Sequence, residues 1–282
     1  MASSEVLAIE RLAACDVAGG LALSDAAGWN QSADDWSIFI GAGAAFGLRD
    51  ERAALVATAA ALPYDSGTGW VSMVLVDAAH RHRGIASQLV DACVVSLREC
   101  GRTPVLDATP AGAAVYAKIG FVEGFAFERW KGEGAAAHAG AADAVVVAAA
   151  AHVETMIALD RTAGGVDRGL LWRAFLDRPS TSAWLTARSD GFALRRAGRR
   201  ATQVGPIVAA NDDDALALLA AALAGAAGGI LIDVPVHRTA LTADLARRGY
   251  TRQRSFVRMA LGDVRAAAAR ADVFALAGPE FG

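Results

Sequence analysis

The stretch VDAAHRHRGIASQLV, residues 76 to 90, decides how the first part of the chain folds. The residues before it, WVSMVL, form a nearly continuous apolar run, which predicts a buried strand. The residues after it place Ile85, Leu89 and Leu97 at helical spacing, and Gly101 follows where such a helix would end. The sequence therefore predicts a strand, a loop and a helix in this order.

The loop of this unit is suited to binding an anion. The first turn of a helix presents backbone N–H groups that lack partners within the helix, and the helix dipole adds partial positive charge there. Gly84 leaves room for a phosphate to approach the backbone, and Arg81 and Arg83 can add charge-assisted hydrogen bonds. The sequence has neither of the two common phosphate-binding patterns, G-x-x-x-x-G-K-[ST] and G-x-G-x-x-G. We expect a phosphate or pyrophosphate held by another kind of loop.

Two segments carry a resemblance to a known family. RHRGIA, residues 81 to 86, resembles the R-x-x-G-x-[GA] loop of the GNAT N-acetyltransferases. LDATPAGAAVYAKIGFVEG, residues 106 to 124, is similar to that family's fifth strand, the following helix and its Y-x-K-x-G-F ending. The resemblance implies that acetyl-CoA is the acetyl donor, with its pyrophosphate on the loop and its pantetheine arm on the preceding strand. The expected cofactor-binding residues are Met73, Val74, Leu75, Val76, Arg81, His82, Arg83, Gly84, Ile85, Ala86 and Ser87.

Acetyl transfer to an amine needs a proton acceptor for the amine and a proton donor for the departing thiolate. Tyr116 stands where the family has its general acid, so the resemblance implies that role. The alternative is a helix tyrosine that only packs its ring in the core. The thioester oxygen becomes negative in the tetrahedral intermediate and then needs a hydrogen-bond donor. A backbone N–H of the Met73 to Val76 strand would serve if that strand contains a β-bulge.

Four residues are predicted to bind the acceptor: Trp29, Asn30, Gln31 and Asp107. The tryptophan can wall a pocket and the two amides can donate and accept hydrogen bonds. Each residue has an ordinary alternative, since a tryptophan at this spacing is often core and Asp107 can be a turn residue that ends a strand.

Farther along, RRAGRR, residues 195 to 200, predicts a charged hairpin. Alternatively, one or two of its arginines reach the inter-domain cleft and hold an anionic acceptor.

Composition limits the classes of protein and partner that we expect. The 282 residues, 54% of them hydrophobic, suffice for one large or two medium domains, and a net charge of −3 does not point to a nucleic-acid or membrane partner. Three cysteines without paired spacing and a start without a secretion signal predict a cytoplasmic protein. The five histidines show no metal-ligand spacing, so no metal is expected. The uncharged segment from Ala215 to Ile232 is interpreted as helix, turn and strand, not as a membrane span, because it is Ala-rich and contains a Gly pair.

The second part of the chain repeats the pattern of the first in a divergent form. The Ala/Gly-rich segment at residues 132 to 144 predicts a boundary, with an N-terminal GNAT domain at 1–134, a linker at 135–143 and a divergent C-terminal GNAT-like domain at 144–282. The predicted fold is mixed α/β (α+β): two tandem GNAT-like domains, each a twisted mixed β-sheet flanked by helices. In the first domain Arg83 and Gly84 precede a helix, and the corresponding helix of the second domain begins at Asp212. Leu245 stands at the position that corresponds to Tyr116. The acidic start would repel a pyrophosphate, so we expect one catalytic centre.

Segments such as AAGWNQSADDW and IDVPVHRTAL extend the resemblance to a bacterial group of tandem acetyltransferases over nearly the whole chain. The resemblance implies an N-acetyltransferase that transfers the acetyl group of acetyl-CoA to a primary amine, which we expect to be a small molecule. Two alternatives stay open: a non-catalytic acyl-CoA-binding sensor or scaffold, and a protein N-acetyltransferase. We expect a monomer or homodimer without nucleic-acid or membrane partners.

Overall fold

Strands and helices follow the same order in both parts of the chain. The computed structural model describes residues 8–65, 67–134 and 144–282, so the predicted linker at 135–143 lies outside the described residues. The first half, residues 8–134, contains β1 (Glu10–Arg11), α1 (Val17–Ala26), α2 (Ala33–Gly41), β2 (Ala44–Arg49), β3 (Leu55–Pro63), β4 (Thr68–Val76), α3 (Ile85–Glu99), β5 (Thr103–Ala108), α4 (Pro110–Lys118) and β6 (Val122–Glu133). The second half, residues 144–282, contains β7 (Val145–Val147), α5 (Val153–Gly164), α6 (Gly169–Leu176), β8 (Ser182–Thr186), β9 (Phe192–Ala197), β10 (Thr202–Val208), α7 (Asp212–Leu223), β11 (Gly229–Pro235), α8 (Thr239–Arg247), β12 (Thr251–Ala260) and β13 (Val273–Ala275).

The predicted mixed α/β architecture is confirmed, and the sheets of the two halves are joined into one. The strand order is β1-β2-β3-β4-β5-β12-β6-β11-β10-β9-β8-β7, with β13 beside β10. The halves exchange their last long strands: β12 of the second half lies between β5 and β6, and β6 of the first half pairs with β11. This exchange satisfies backbone hydrogen bonds that would otherwise lie at two exposed sheet edges.

The helices cover the sheet as their apolar spacing predicts. Helix α3 buries Ile85, Leu89 and Leu97 against the first half of the sheet. Segment 215–232 forms most of α7, a turn and the start of β11, as interpreted from the sequence. Asn211 caps α7 by accepting a hydrogen bond from the backbone N–H of Asp214 at 2.9 Å. None of the helices in the described part of the chain has the length and apolar character that crossing a bilayer requires.

A shared core joins the two halves through the segment that follows β13. Phe281 stacks on Phe39 of α2 with ring centroids 4.9 Å apart and meets Phe175 of α6 edge-on at 5.1 Å. The Trp70 indole N–H donates to the carbonyl of Pro279 at 2.9 Å, and the Tyr64 hydroxyl donates to that of Phe281 at 2.8 Å. The last residues of the second half therefore belong to the core of the first half.

Candidate active site

Strand β4 contains a β-bulge at Met73. Its pairing with β3 shifts register between Thr58 and Ala60, and Met73 has a φ of 53°. The Thr58 hydroxyl donates to the Met73 carbonyl at 2.9 Å and holds the bulge in place. A bulge leaves backbone groups outside the ladder and bends the strand. The residues of β4 have an apolar pattern that predicts a strand, but nothing in that pattern indicates the bulge.

Strands β4 and β5 separate just before the bulge. They pair in parallel only from Thr68 to Trp70, opposite Thr103 to Val105, and β5 then pairs with β12 on its other side. The gap between the two strands opens into a cleft that Met73 and Val74 border. Leu75 and Val76, predicted with them, do not border it, and the Leu75 side chain is buried in the core.

The predicted anion loop lies on the surface at the start of α3. Gly84 is the N-cap of this helix with a φ of 75°, and His82 also has a left-handed φ of 63°. Arg81 and Arg83 are exposed, and the Arg81 Nε donates back to the carbonyl of Val76 at 3.1 Å. Ile85 is buried in the core, so only its backbone is available to a ligand. A left-handed φ favours glycine, which accounts for Gly84 at this position.

Tyr116 borders the same cleft from α4. Thr109 caps the start of this helix, accepting a hydrogen bond from the backbone N–H of Gly112 at 3.3 Å. The tyrosine is half-buried, with its ring centroid 6.1 Å from that of Phe121. Burial, with a smaller effect of Cys93, raises the pKa of Tyr116 to about 12. Its hydroxyl is therefore protonated at neutral pH, and no residue within 8–65, 67–134 or 144–282 forms a hydrogen bond with it.

The cleft has a volume of about 470 Å³ and is built by both halves. The first half contributes residues of the α1–α2 connection, β4, β5, α4 and β6. The second half contributes the β9–β10 hairpin, β11, β12 and the segment after β13, with Arg200, Leu231, Arg254, Phe256, Pro279 and Glu280. The last five of these had no site role predicted from the sequence, because each comes from a segment distant in sequence from the loop.

The structure brings the four predicted acceptor-binding residues to this cleft but gives them different surroundings. Asn30 differs from expectation: its Nδ2 donates to the Ala201 carbonyl at 3.0 Å, and its Oδ1 accepts from the backbone N–H groups of Arg200 and Ala201 at 2.9 Å each. It fastens the β9–β10 hairpin of the second half. The Gln31 Oε1, in contrast, is buried with no hydrogen-bond partner among the described residues.

Asp107 uses its carboxylate to join the two halves. Both of its oxygens accept hydrogen bonds from Arg258 of β12, at 2.9 Å each, and its side chain has no exposed surface. Burial raises the pKa of Asp107, and the neighbouring guanidinium opposes this effect. Because the carboxylate is committed to Arg258, it is the backbone of Asp107 that faces the cleft.

Two further buried ion pairs lie beside the cleft. Arg129 of β6 donates to both oxygens of Asp233 at 2.8 and 2.7 Å, and Gln203 donates to the same carboxylate at 2.9 Å. Arg196 donates to Glu280 Oε1 at 2.9 Å. Both pairs connect segments more than 80 residues apart, so sequence patterns did not indicate them. Of the RRAGRR arginines, Arg200 borders the cleft.

The second half has the same opening between strands, and its own chain fills it. Strands β10 and β11 pair in parallel only from Thr202 to Val204, as β4 and β5 do. Beyond that point β13 pairs with β10, and Leu276 bridges to Asp233 of β11. Space for a ligand between these two strands is therefore taken by residues 273 to 276.

Within the described ranges no group of three histidine, cysteine, aspartate or glutamate residues could hold a metal ion.

Comparison with protein-family models finds two domains, at residues 42–123 and 156–275, each described as an acetyltransferase (GNAT) domain. A curated relative, the uncharacterized N-acetyltransferase YitH of Bacillus subtilis (strain 168), is 24% identical over 242 residues, which are 83% of this chain and 84% of the relative.

Among solved structures, a putative acetyltransferase from Pyrococcus horikoshii matches 100% of this chain and 98% of its own, with a TM-score of 0.83 at 18% identity. A tandem GNAT protein from the clavulanic acid biosynthesis pathway matches 90% of this chain and 98% of its own, with a TM-score of 0.63 at 16% identity. These two likenesses concern the fold.

Proposed function

The chain belongs to the GNAT acetyltransferases and is acetyl-CoA-dependent, and from this premise we propose that it acetylates the primary amine of a small molecule in the cleft between its halves. The observation that carries the proposal is the meeting of three features at one cleft: the bulge at Met73, the separation of β4 from β5, and the half-buried Tyr116. A protein that only sensed acyl-CoA would not need a protonated tyrosine there.

The residues present fit acetyl-CoA. Gly84 combines a left-handed φ with open space, since an added Cβ would meet no atom nearer than Gln88 Nε2 at 3.9 Å. The backbone at the start of α3 is thus accessible to a pyrophosphate, with Arg81 and Arg83 beside it. Met73 and Val74 would hold the pantetheine arm through their main chain. When bound, acetyl-CoA supplies a thioester whose C–S bond breaks as the bond from the amine nitrogen to the acetyl carbon forms.

Two side chains are proposed to move the protons of this reaction. Tyr116 donates its hydroxyl proton to the departing sulfur, and its raised pKa keeps that proton in place at neutral pH. Glu280 removes the proton from the attacking amine. Glu280 borders the cleft, and only its Oε1 is bound by Arg196, which leaves Oε2 without a hydrogen-bond partner among the described residues. Asp107 is less suited to this role because both of its oxygens are bound by Arg258.

The size of the cleft favours a small acceptor over a protein. A volume of about 470 Å³ lies in the range of small-molecule sites, and both halves contribute to its wall. The filled opening in the second half and the acidic start of α7 support one acetyl-CoA site per chain. We therefore propose that the second half shapes the acceptor side of a single active site.

Calorimetric titration of acetyl-CoA tests this proposal. The wild-type protein is expected to bind one acetyl-CoA per chain, and the Arg83→Glu, Gly84→Glu double variant is expected to bind none, because two carboxylates then face the pyrophosphate. A screen of primary amines, followed by the release of free thiol, tests for turnover. Two binding sites per chain would contradict the assignment of a single centre. Binding without turnover of any amine would favour a sensor.

A further inference from the structure

Three ion pairs lie at or beside the cleft, and within each pair the charges cancel. The carboxylates of Asp107 and Glu280 are bound by Arg258 and Arg196, neither of which borders the cleft. Arg129 borders it and is paired with the buried Asp233. These three pairs have no net charge, so they do not by themselves select the charge of an acceptor.

Three further cations border the cleft without such pairing. Lys131 comes from β6, Arg200 from the β9–β10 hairpin and Arg254 from β12, and all three are exposed. None of them forms a salt bridge in the described ranges 8–65, 67–134 and 144–282. One carboxylate of the cleft, that of Glu133, is likewise without a salt bridge there. Three cations against one anion make this part of the cleft positive.

The backbone places these cations on one side of the sheet. Side chains alternate along a strand, so Arg129, Lys131 and Glu133 of β6 share a face, and Arg254 is the register partner of Arg129 on that face. Arg200 is held at its position by the hydrogen bonds of Asn30 to the hairpin, and its Nη2 donates to the carbonyl of Asp25 at 2.9 Å. The positive surface is therefore built from three fixed elements.

Two buried polar atoms at the same cleft lack a partner. Gln31 Oε1 and Ser72 Oγ form no hydrogen bond with the described residues, although their residues are only 5% and 8% exposed. Buried polar atoms are nearly always hydrogen-bonded, so these two atoms are available to a bound molecule or to ordered water. Ser72 precedes Met73 at the bulge, and Gln31 Oε1 can accept only, which suits the N–H of an amine.

We propose that the acceptor is an amine that also carries an anionic group, a carboxylate or a phosphate. Lys131, Arg200 and Arg254 bind the anionic group, and Gln31 accepts a hydrogen bond from the amine. The inference rests on the proposed function, because it assumes that the acceptor occupies this cleft. It narrows the substrate class from primary amines in general to amino acids, amino phosphates and related compounds.

Matched amines test the inference by turnover. O-phosphoethanolamine is compared with ethanolamine, and β-alanine with n-propylamine, by the rate of thiol release from acetyl-CoA. The anionic member of at least one pair is expected to have a kcat/KM at least roughly tenfold higher. Arg200→Gln with Arg254→Gln should remove most of this preference, and Glu133→Gln should increase it. Neutral amines acetylated as well as their anionic counterparts would overturn the inference while supporting the proposed function.

A binding measurement decides the inference independently of turnover. With the anion loop first saturated by CoA, inorganic phosphate and succinate are titrated by calorimetry. Wild-type protein is expected to bind one of them at a single site, roughly tenfold more tightly than the Arg200→Gln, Arg254→Gln variant does. Arg252→Gln is the matched control, because Arg252 lies on the same strand, pairs with Glu128 and does not border the cleft. No anion binding, or binding unchanged in the double variant, would refute the proposal. Failure of CoA itself to bind would instead count against the proposed function.

Discussion

Replacement of Arg258 by methionine tests how strongly the exchanged strands depend on one buried ion pair. Arg258 of β12 holds both oxygens of Asp107 of β5 at 2.9 Å, and the two side chains are 12% and 0% exposed. A methionine side chain fills a volume similar to that of arginine but leaves the buried carboxylate of Asp107 without its partner. Loss of one partner of a buried pair costs about 3–5 kcal/mol. For a chain of this size the midpoint of thermal unfolding should fall by roughly 5–8 °C.

The same strand offers a matched control. Arg252 of β12 pairs with Glu128 at 3.1 Å, but these side chains are 67% and 19% exposed. Water and salt screen such a pair, so Arg252→Met should cost less than about 1 kcal/mol. Scanning calorimetry of the two variants and the wild type, at one protein concentration, measures the contrast.

The pH dependence of the variant follows from the Asp107 carboxyl. Burial raises its pKa in the folded protein, and Arg258 counteracts this rise. A folded-state pKa above the unfolded value of about 3.9 means that stability falls as pH rises between the two values and is level above them. Without Arg258 the folded-state pKa rises further and this window widens. The deficit of Arg258→Met relative to wild type should therefore be larger at pH 8 than at pH 5.

A double variant separates the ion pair from the packing. Asp107→Leu combined with Arg258→Met removes both charges, and replacement of a buried pair by apolar residues is often neutral or stabilising. The double variant should recover most of the stability lost in Arg258→Met. A double variant as unstable as the single one, or a single variant that loses less than about 1 kcal/mol, would refute this reasoning.

Three further predictions concern the cofactor loop, the proton donor and the strand exchange. Tyr116→Phe should lower kcat roughly 10²–10⁴-fold with an unchanged acetyl-CoA dissociation constant; because the pKa of Tyr116 is about 12, the wild-type rate should show no loss from its ionisation below pH 10. Gly84→Ala should raise the KM for acetyl-CoA several-fold, since a left-handed alanine costs about 1–2 kcal/mol, whereas Gly67→Ala, with a φ of 77° in the β3–β4 turn, should leave KM unchanged. Fragments 1–134 and 144–282 should fold only when co-expressed, because β12 lies between β5 and β6; circular dichroism of a separately folded fragment would contradict this expectation.

The sequence alone determined the elements whose causes are local. The apolar run before residue 76 and the spacing of Ile85, Leu89 and Leu97 predicted β4 and α3, and both are present. Asp212 marked the start of α7, because acidic residues complement the positive end of a helix. Each prediction depended on residues of one short continuous segment, where periodicity and capping act. The same local patterns carried the resemblance to the GNAT acetyltransferases, which the comparisons confirm.

Tertiary structure alone decided how the cleft is built. The exchange of β6 and β12, the filling of the second opening by β13, and the fastening of the hairpin by Asn30 join segments up to about 170 residues apart. It also committed the Asp107 carboxylate to Arg258, so that only the backbone of Asp107 faces the cleft, and it brought Glu280 to the cleft. No local pattern encodes such partners, because a strand of given hydrophobicity can pair with any compatible edge. Backbone hydrogen bonding and apolar burial, summed over the whole chain, select one arrangement.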